Sequence, residues 1–133
     1  MPRVRIVADY CSRGYQLLDE AARAAGELAI PDALEERLRA WNDYYDSHYD
    51  PRAFDDPSGI PFDFVAFARE GLAIAKAVKR ELPHWTVIYR DVAFDWYMAR
   101  DPRSYDPKKA EYEISFADAL ADGAGRHKRF LPT

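Results

Sequence analysis

Between residues 63 and 82 the apolar positions recur every three or four residues. Phe64, Ala68, Gly71, Leu72, Ala75, Val78 and Leu82 share one side, and Phe67 and Ile74 widen it to roughly half the circumference, more than a surface helix usually shows. Arg69, Glu70, Lys76, Arg80 and Glu81 fall on the other side. The spacing predicts a long amphipathic helix, with Asp63 able to cap its first turn and Pro83 to stop it. Gly71 costs such a helix about 1 kcal/mol relative to Ala. On the apolar side it therefore predicts a close approach of helix and sheet. Beyond Pro83 the period falls to two: Trp85, Val87 and Tyr89 alternate with Thr86, Ile88 and Arg90. Both sets are largely apolar or aromatic, which suits a central strand.

The same reading applies upstream. In residues 4–10, Val4, Ile6, Ala8 and Tyr10 face one way and Arg5, Val7 and Asp9 the other, as in a strand. Ser12-Arg13-Gly14 signals a turn, and residues 15–18 supply a return strand. The Ala-rich stretch that follows reads as a turn or a short helix, with Gly26 as the left-handed residue after its end. Asp32 with Glu35 has the form of a capping box, and Leu34, Leu38, Trp41 and Tyr45 then give a helical stripe to about residue 48. Residues 50–60 carry two prolines, a glycine and three aspartates, and read as a loop. Downstream, the alternation in residues 92–99 and again in 111–116 favours a second hairpin, with Tyr112, Ile114 and Phe116 on one face.

These elements predict an α+β fold: a small mixed sheet of about four to five strands with an antiparallel pair of helices, residues 32–48 and 63–82, packed on one face. The strands at 4–10 and 85–90 are expected to be adjacent and parallel, because the helical pair returns the chain to its starting end. Ile6, Leu38, Trp41, Phe64, Leu72, Val78 and Val87 are the expected core. With 133 residues the chain reads as one domain, 1–133, whose last residues, about 121–133, are expected to fray.

Charge and cysteine content narrow the function. The net charge of −4 does not favour nucleic acid, which wants a basic face. A single cysteine, Cys11, rules out an intrachain disulfide and makes the cytoplasm the natural compartment. No apolar run approaches the roughly 18 residues of a membrane span. The aromatic share, 14%, with nine Tyr and three Trp, suits either a large core or an interface, since both residues combine an apolar face with a polar handle.

Candidate chemistry concentrates in residues 41–56, WNDYYDSHYDPRAFDD, with five aspartates, three tyrosines and one histidine. His48 lies between Asp46 and Asp50, but one histidine does not make a metal site, and neither a metal nor a cofactor is expected. Carboxylates at a helix C-terminus oppose its dipole. An acidic aromatic surface placed there at some cost reads as a protein-binding patch, with Asp43, Asp46, Tyr49, Asp50, Asp55 and Asp56 as candidates; plain solubility is the alternative. Cys11 lacks an activating partner and reads as a small half-buried residue. His84 and His127 read as surface residues. There is no nucleophile elbow, P-loop or dinucleotide fingerprint, and no residue is singled out as catalytic.

Four pieces together carry a resemblance: VRIVADY, an opening strand ending in an aspartate-aromatic pair; LRAWNDYYD, a helix with L-x-x-W-x-x-x-Y; AVKREL, a long helix's end; and WTVIYRD, a V-x-Y strand. They lie between Val4 and Asp91. In these the chain resembles small stand-alone bacterial proteins of unknown activity, and in size and acidity it resembles immunity proteins of toxin systems, including contact-dependent inhibition. The resemblance implies a non-enzymatic protein-binding module that neutralises a toxin domain, a basic one if charge steers the encounter. It carries over no catalytic residue. From a different class, a small enzyme would assemble a polar site from His48, Asp46, Tyr45 and Cys11, and a third reading is a protein that homodimerises through its aromatics.

Overall fold

The computed structural model describes residues 1–48, 63–92, 94 and 107–121. A four-stranded mixed sheet carries helices on one face. Strand β1 (Arg3–Ile6) pairs antiparallel with β2 (Tyr15–Leu17) and parallel with β3 (Thr86–Arg90), which pairs antiparallel with β4 (Glu111–Glu113). The order is β2-β1-β3-β4. The expected parallel neighbours are thus the two central strands, with Val4 opposite Val87 and Ile6 opposite Tyr89. These four side chains lie on one face by alternation and are fully buried.

Above that face run α2 (Asp32–His48) and α3 (Phe64–Glu81). They are antiparallel: Arg37 meets Glu70 in a two-pronged ion pair at 2.6 and 2.8 Å, Trp41 meets Phe67, and Tyr44 reaches the Asp63 backbone. Asp63 caps α3 by accepting from the Ala66 N–H at 3.0 Å, and Leu82 leaves the helical region at φ −124° before Pro83. All seven expected core residues are buried, none more than 5% exposed.

Gly71 sits where three elements converge. A Cβ there would lie 2.6 Å from Trp41 Cζ2 of α2 and 2.6 Å from Tyr89 Oη of β3. Both neighbours are tied to α3 itself. Trp41 Nε1–H donates to Phe67 O at 3.0 Å and Tyr89 O–H to Ala68 O at 3.3 Å. The glycine lets helix, helix and sheet meet at this point, so the cost of its backbone freedom is offset by closeness. Burial pushes the Tyr89 phenol well above its ordinary 10, with the Asp91 charge adding to it.

Several expectations are corrected. The first strand ends at Ile6, not at residue 10, because the chain beyond it is drawn away by side chains of α2 described below. Asp32 is not the cap of α2: the Pro31 carbonyl accepts from Leu34 and Glu35 N–H, which places Asp32 inside the first turn, where its charge suits the dipole. The Ala-rich stretch is a short helix, α1 (Glu20–Ala24), capped by Asp19 and followed by Gly26 at φ +84°. The Asp19 carboxyl is held below its ordinary value, chiefly by the Ala22 N–H.

Lys76, expected on the solvent side of α3, is only 6% exposed, and Lys79 is buried with it. Helix α4 (Phe116–Leu120) packs on α3, and Lys79 Nζ donates to Pro83 O and Trp85 O beyond the end of α3. The expected second hairpin gives way to a different arrangement. Asp91 Oδ1 accepts from Phe94 N–H at 3.1 Å, so Val92 and Phe94 lie in a helical turn; the rest of that expected strand lies outside the described residues. A 3-10 turn (Pro107–Ala110) leads into β4, and Ser115 caps α4. Phe116 therefore leaves the face shared by Tyr112 and Ile114 and is 46% exposed. The tail expected to fray lies, from residue 122, outside the described residues.

Candidate functional site

The last turns of α2 hold down the loop between β1 and β2. Asn42 stands four residues after Leu38, in line with the buried stripe, and is itself fully buried. Its Oδ1 accepts from Asp9 N–H at 2.9 Å and its Nδ2–H donates to Ser12 O at 2.8 Å. One turn on, Asp46 Oδ2 accepts from Cys11 N–H at 3.2 Å. Within the loop, Asp9 Oδ1 accepts from Tyr10 N–H and Ser12 Oγ from Gly14 N–H. The loop closes with Val7 N–H donating to Gly14 O, and Gly14 takes φ +92° against Leu38. Cys11 adopts φ +55°, a left-handed conformation that costs a residue with a side chain about 1–2 kcal/mol. The loop is held in that shape by hydrogen bonds on both sides of Cys11.

Aromatic rings run outward from the core beside this loop. Phe67 of α3 stacks on Trp41 with centroids 4.7 Å apart and planes 12° from parallel. Tyr45 lies 5.8 Å from Phe67 on another side, and Tyr44 lies 6.3 Å away. Tyr10 rests against Tyr45, centroids 5.3 Å apart, and is 47% exposed. The series begins in the hydrophobic core and ends in solvent on the loop.

Of the residues anticipated for binding, Asp43 is exposed on α2, and Asp46 is half-buried through its bond to the loop. Tyr49, Asp50, Asp55 and Asp56 lie outside the described residues, as does the side chain of His48. Of the residues named for an enzyme site, Asp46 and Cys11 are brought together, whereas Tyr45 packs on Tyr10 and Phe67. What Asp46 meets there is the Cys11 backbone N–H, a positioning contact. Cys11 is exposed rather than half-buried, because its backbone turns it outward on the loop. His84 is exposed as expected, and His127 lies outside the described residues. Among the described residues no group of three or more His, Cys, Asp and Glu is placed to hold a metal ion. No helix among them is long and apolar enough to cross a membrane.

Sequence reasoning missed Asp9, Tyr10 and Asn42 as parts of this face. Asn42 had a signal: a polar residue in register with a buried stripe needs hydrogen-bond partners. Its partners, about thirty residues away along the chain in no local pattern, had none.

On the opposite face of the sheet, Arg5 reaches across to Glu111 at 2.6 Å and to Gln16 at 2.8 Å. These three with Val7 and Arg90 line a shallow hollow of about 350 Å³. Arg5 lies there among its own carboxylate and amide partners.

Fold and site define a two-layer α+β protein in which the end of α2 clamps the β1–β2 loop beside an outward series of aromatic rings. The chain belongs to the Serratia CdiI immunity protein-like family, whose model matches residues 2–92. That span holds all of β1 through β3, both long helices and the clamped loop, and its role is that of an immunity protein. No curated protein and no solved structure matches the chain.

Proposed function

We propose that this protein neutralises a toxin by binding it, without chemistry of its own, through the acidic aromatic surface at the end of α2. The candidate contacts are Asp43 and Asp46, with Tyr49, Asp50, Asp55 and Asp56 following in sequence. The toxin domain it meets is basic, and the encounter takes place in the cytoplasm. The observation that carries the reading is the pair of carboxylates on the last turns of α2, Asp43 exposed to solvent and Asp46 bonded to the loop that bears the exposed Tyr10. Carboxylates there oppose the helix dipole. A basic partner would relieve that repulsion, and long-range attraction to a chain of net charge −4 would speed association. Tyrosines beside the charges supply the desolvated centre that charge alone lacks.

The test begins with a pull-down of the tagged protein from its native host, read by mass spectrometry. The expected catch is a toxin domain against which this protein protects growing cells. Association rates of Asp43→Lys are then compared with wild type at two ionic strengths. Slower association with a shallower salt dependence supports the reading. An unchanged rate and an unchanged salt slope remove the helix end from the interface.

A further inference from the structure

We infer that the loop of residues 9–14 is a second, preorganised contact element for the toxin, with Tyr10 as its anchor and the buried Asn42 as the residue that positions it. The inference rests on the toxin-binding reading above and extends it to a segment remote in sequence from the acidic helix end.

Three observations converge on the loop. First, both ends of the Asn42 amide are spent on loop backbone, at Asp9 N–H and Ser12 O. Packing alone would not require a polar group at a fully buried site, where an apolar side chain of similar size fills the space without desolvation. The amide's particular effect is to fix the loop's conformation. Second, Cys11 is kept at φ +55° by the Asp46 carboxylate on its N–H. Strain of this kind persists only where surrounding contacts over-determine the backbone. Third, that fixed backbone presents Tyr10, about half exposed, backed by Tyr45, which itself rests on Phe67.

A tyrosine held this way loses little freedom on binding, and a loop already in shape avoids the ordering cost that weakens flexible contacts. The chemistry around it selects the occupant. Asp9, whose carboxylate accepts from the Tyr10 N–H, is exposed, and Asp46, bonded to the next residue's N–H, is half-exposed. A Lys or Arg side chain of a basic partner would lie over the outer face of Tyr10, favoured both by the ring and by the carboxylates around it.

The probe is the toxin domain recovered with this protein from its native host, in a catalytically inactive form. Tyr10→Ala, Asn42→Leu and the double variant are compared with wild type and with Asp43→Lys for association and dissociation rates. Tyr10→Ala is expected to weaken binding at least tenfold, chiefly through faster dissociation. Asn42→Leu is expected to do the same while still melting cooperatively. In its background, adding Tyr10→Ala costs less than twofold more, because the anchor is already misplaced. Additive losses would mean that Asn42 acts on stability alone and would overturn its positioning role. Should Asn42→Leu fail to fold, hydrogen exchange in the free wild-type protein decides the same point: the Asp9 and Cys11 amides are expected to be protected, and exchange as fast as in an unstructured peptide overturns preorganisation. Tyr10→Ala binding like wild type while Asp43→Lys slows association removes the loop and leaves the wider reading. Both binding like wild type removes both. A Tyr10 effect without an Asp43 effect supports the loop and removes the acidic helix end. Recovery of no toxin against which the protein protects overturns the reading and this inference with it.

Discussion

Gly71→Ala is expected to destabilise the fold by about 1–4 kcal/mol, against the usual direction for a helical glycine. In an exposed helix the substitution would stabilise by about 1 kcal/mol through propensity. Here the new methyl would stand 2.6 Å from Trp41 Cζ2 and 2.6 Å from Tyr89 Oη. Neither can step aside without loss, since each donates a hydrogen bond to α3 and packs in the core. Overpacking of a dense core costs roughly 1–3 kcal/mol, and breaking one or two such bonds adds about 1 kcal/mol each. Subtracting the propensity gain leaves the stated range. Urea unfolding measures it, with an unchanged slope marking an effect on stability rather than on compactness. Tyr89→Phe removes one of the two obstructing atoms. On its own it should cost about 1 kcal/mol, and in its background Gly71→Ala should cost less than in wild type, a coupling readable from a double-mutant cycle. A Gly71→Ala protein as stable as wild type, or more so, would refute the close approach as the reason for the glycine.

Leu72→Ala, at a fully buried site over the sheet, should cost about 2–5 kcal/mol in the same urea assay. Asp43→Lys should leave the melt within about 0.5 kcal/mol of wild type, as an exposed charge does, whereas Asp46→Ala should lose about 1 kcal/mol or more because the Cys11 N–H loses its acceptor. The Asp19 carboxyl titrates below 3.8 in the folded chain, so its stabilisation is complete above that pH and fades as pH falls through the lowered folded value. The stability gap between wild type and Asp19→Ala, followed by acid titration, should accordingly narrow on the acid side and stay constant near neutrality.

Much of the fold was legible because its two long helices and central strands state their period plainly. The wide apolar side of α3 anticipated burial against more than one neighbour, and Gly71 anticipated the close approach, though Trp41 of a second helix was not foreseen as part of it. The failures fall where one side chain redirects the backbone. Asp91 accepts from Phe94 N–H and turns a segment whose alternation looked like a strand. Ser115 does the same before Phe116. Capping of this kind competes with alternation over only three residues, too short a window for periodicity to decide. Asp43 and Asp46 were readable as an acidic helix end, but the loop that Asn42 and Asp46 hold was not. The loop's place depends on Asn42, whose partners are about thirty residues away along the chain.

The parallel pairing of β1 with β3 also sets a clock. Arg3 lies opposite Thr86 and Ile6 opposite Tyr89, so the two central strands close a loop of about 80 residues. A nascent chain can form the β1–β2 hairpin early, yet the other edge of β1 stays unpaired until β3 has been made, an open edge of the kind that invites wrong pairing. At roughly 5–20 residues per second, that interval is on the order of ten seconds. Every proposed contact, from Tyr10 to Asp56, is synthesised before β3. The proposed contacts exist as sequence well before β1 can pair with β3, and the helices that carry them have no completed sheet to pack on until translation has passed residue 90.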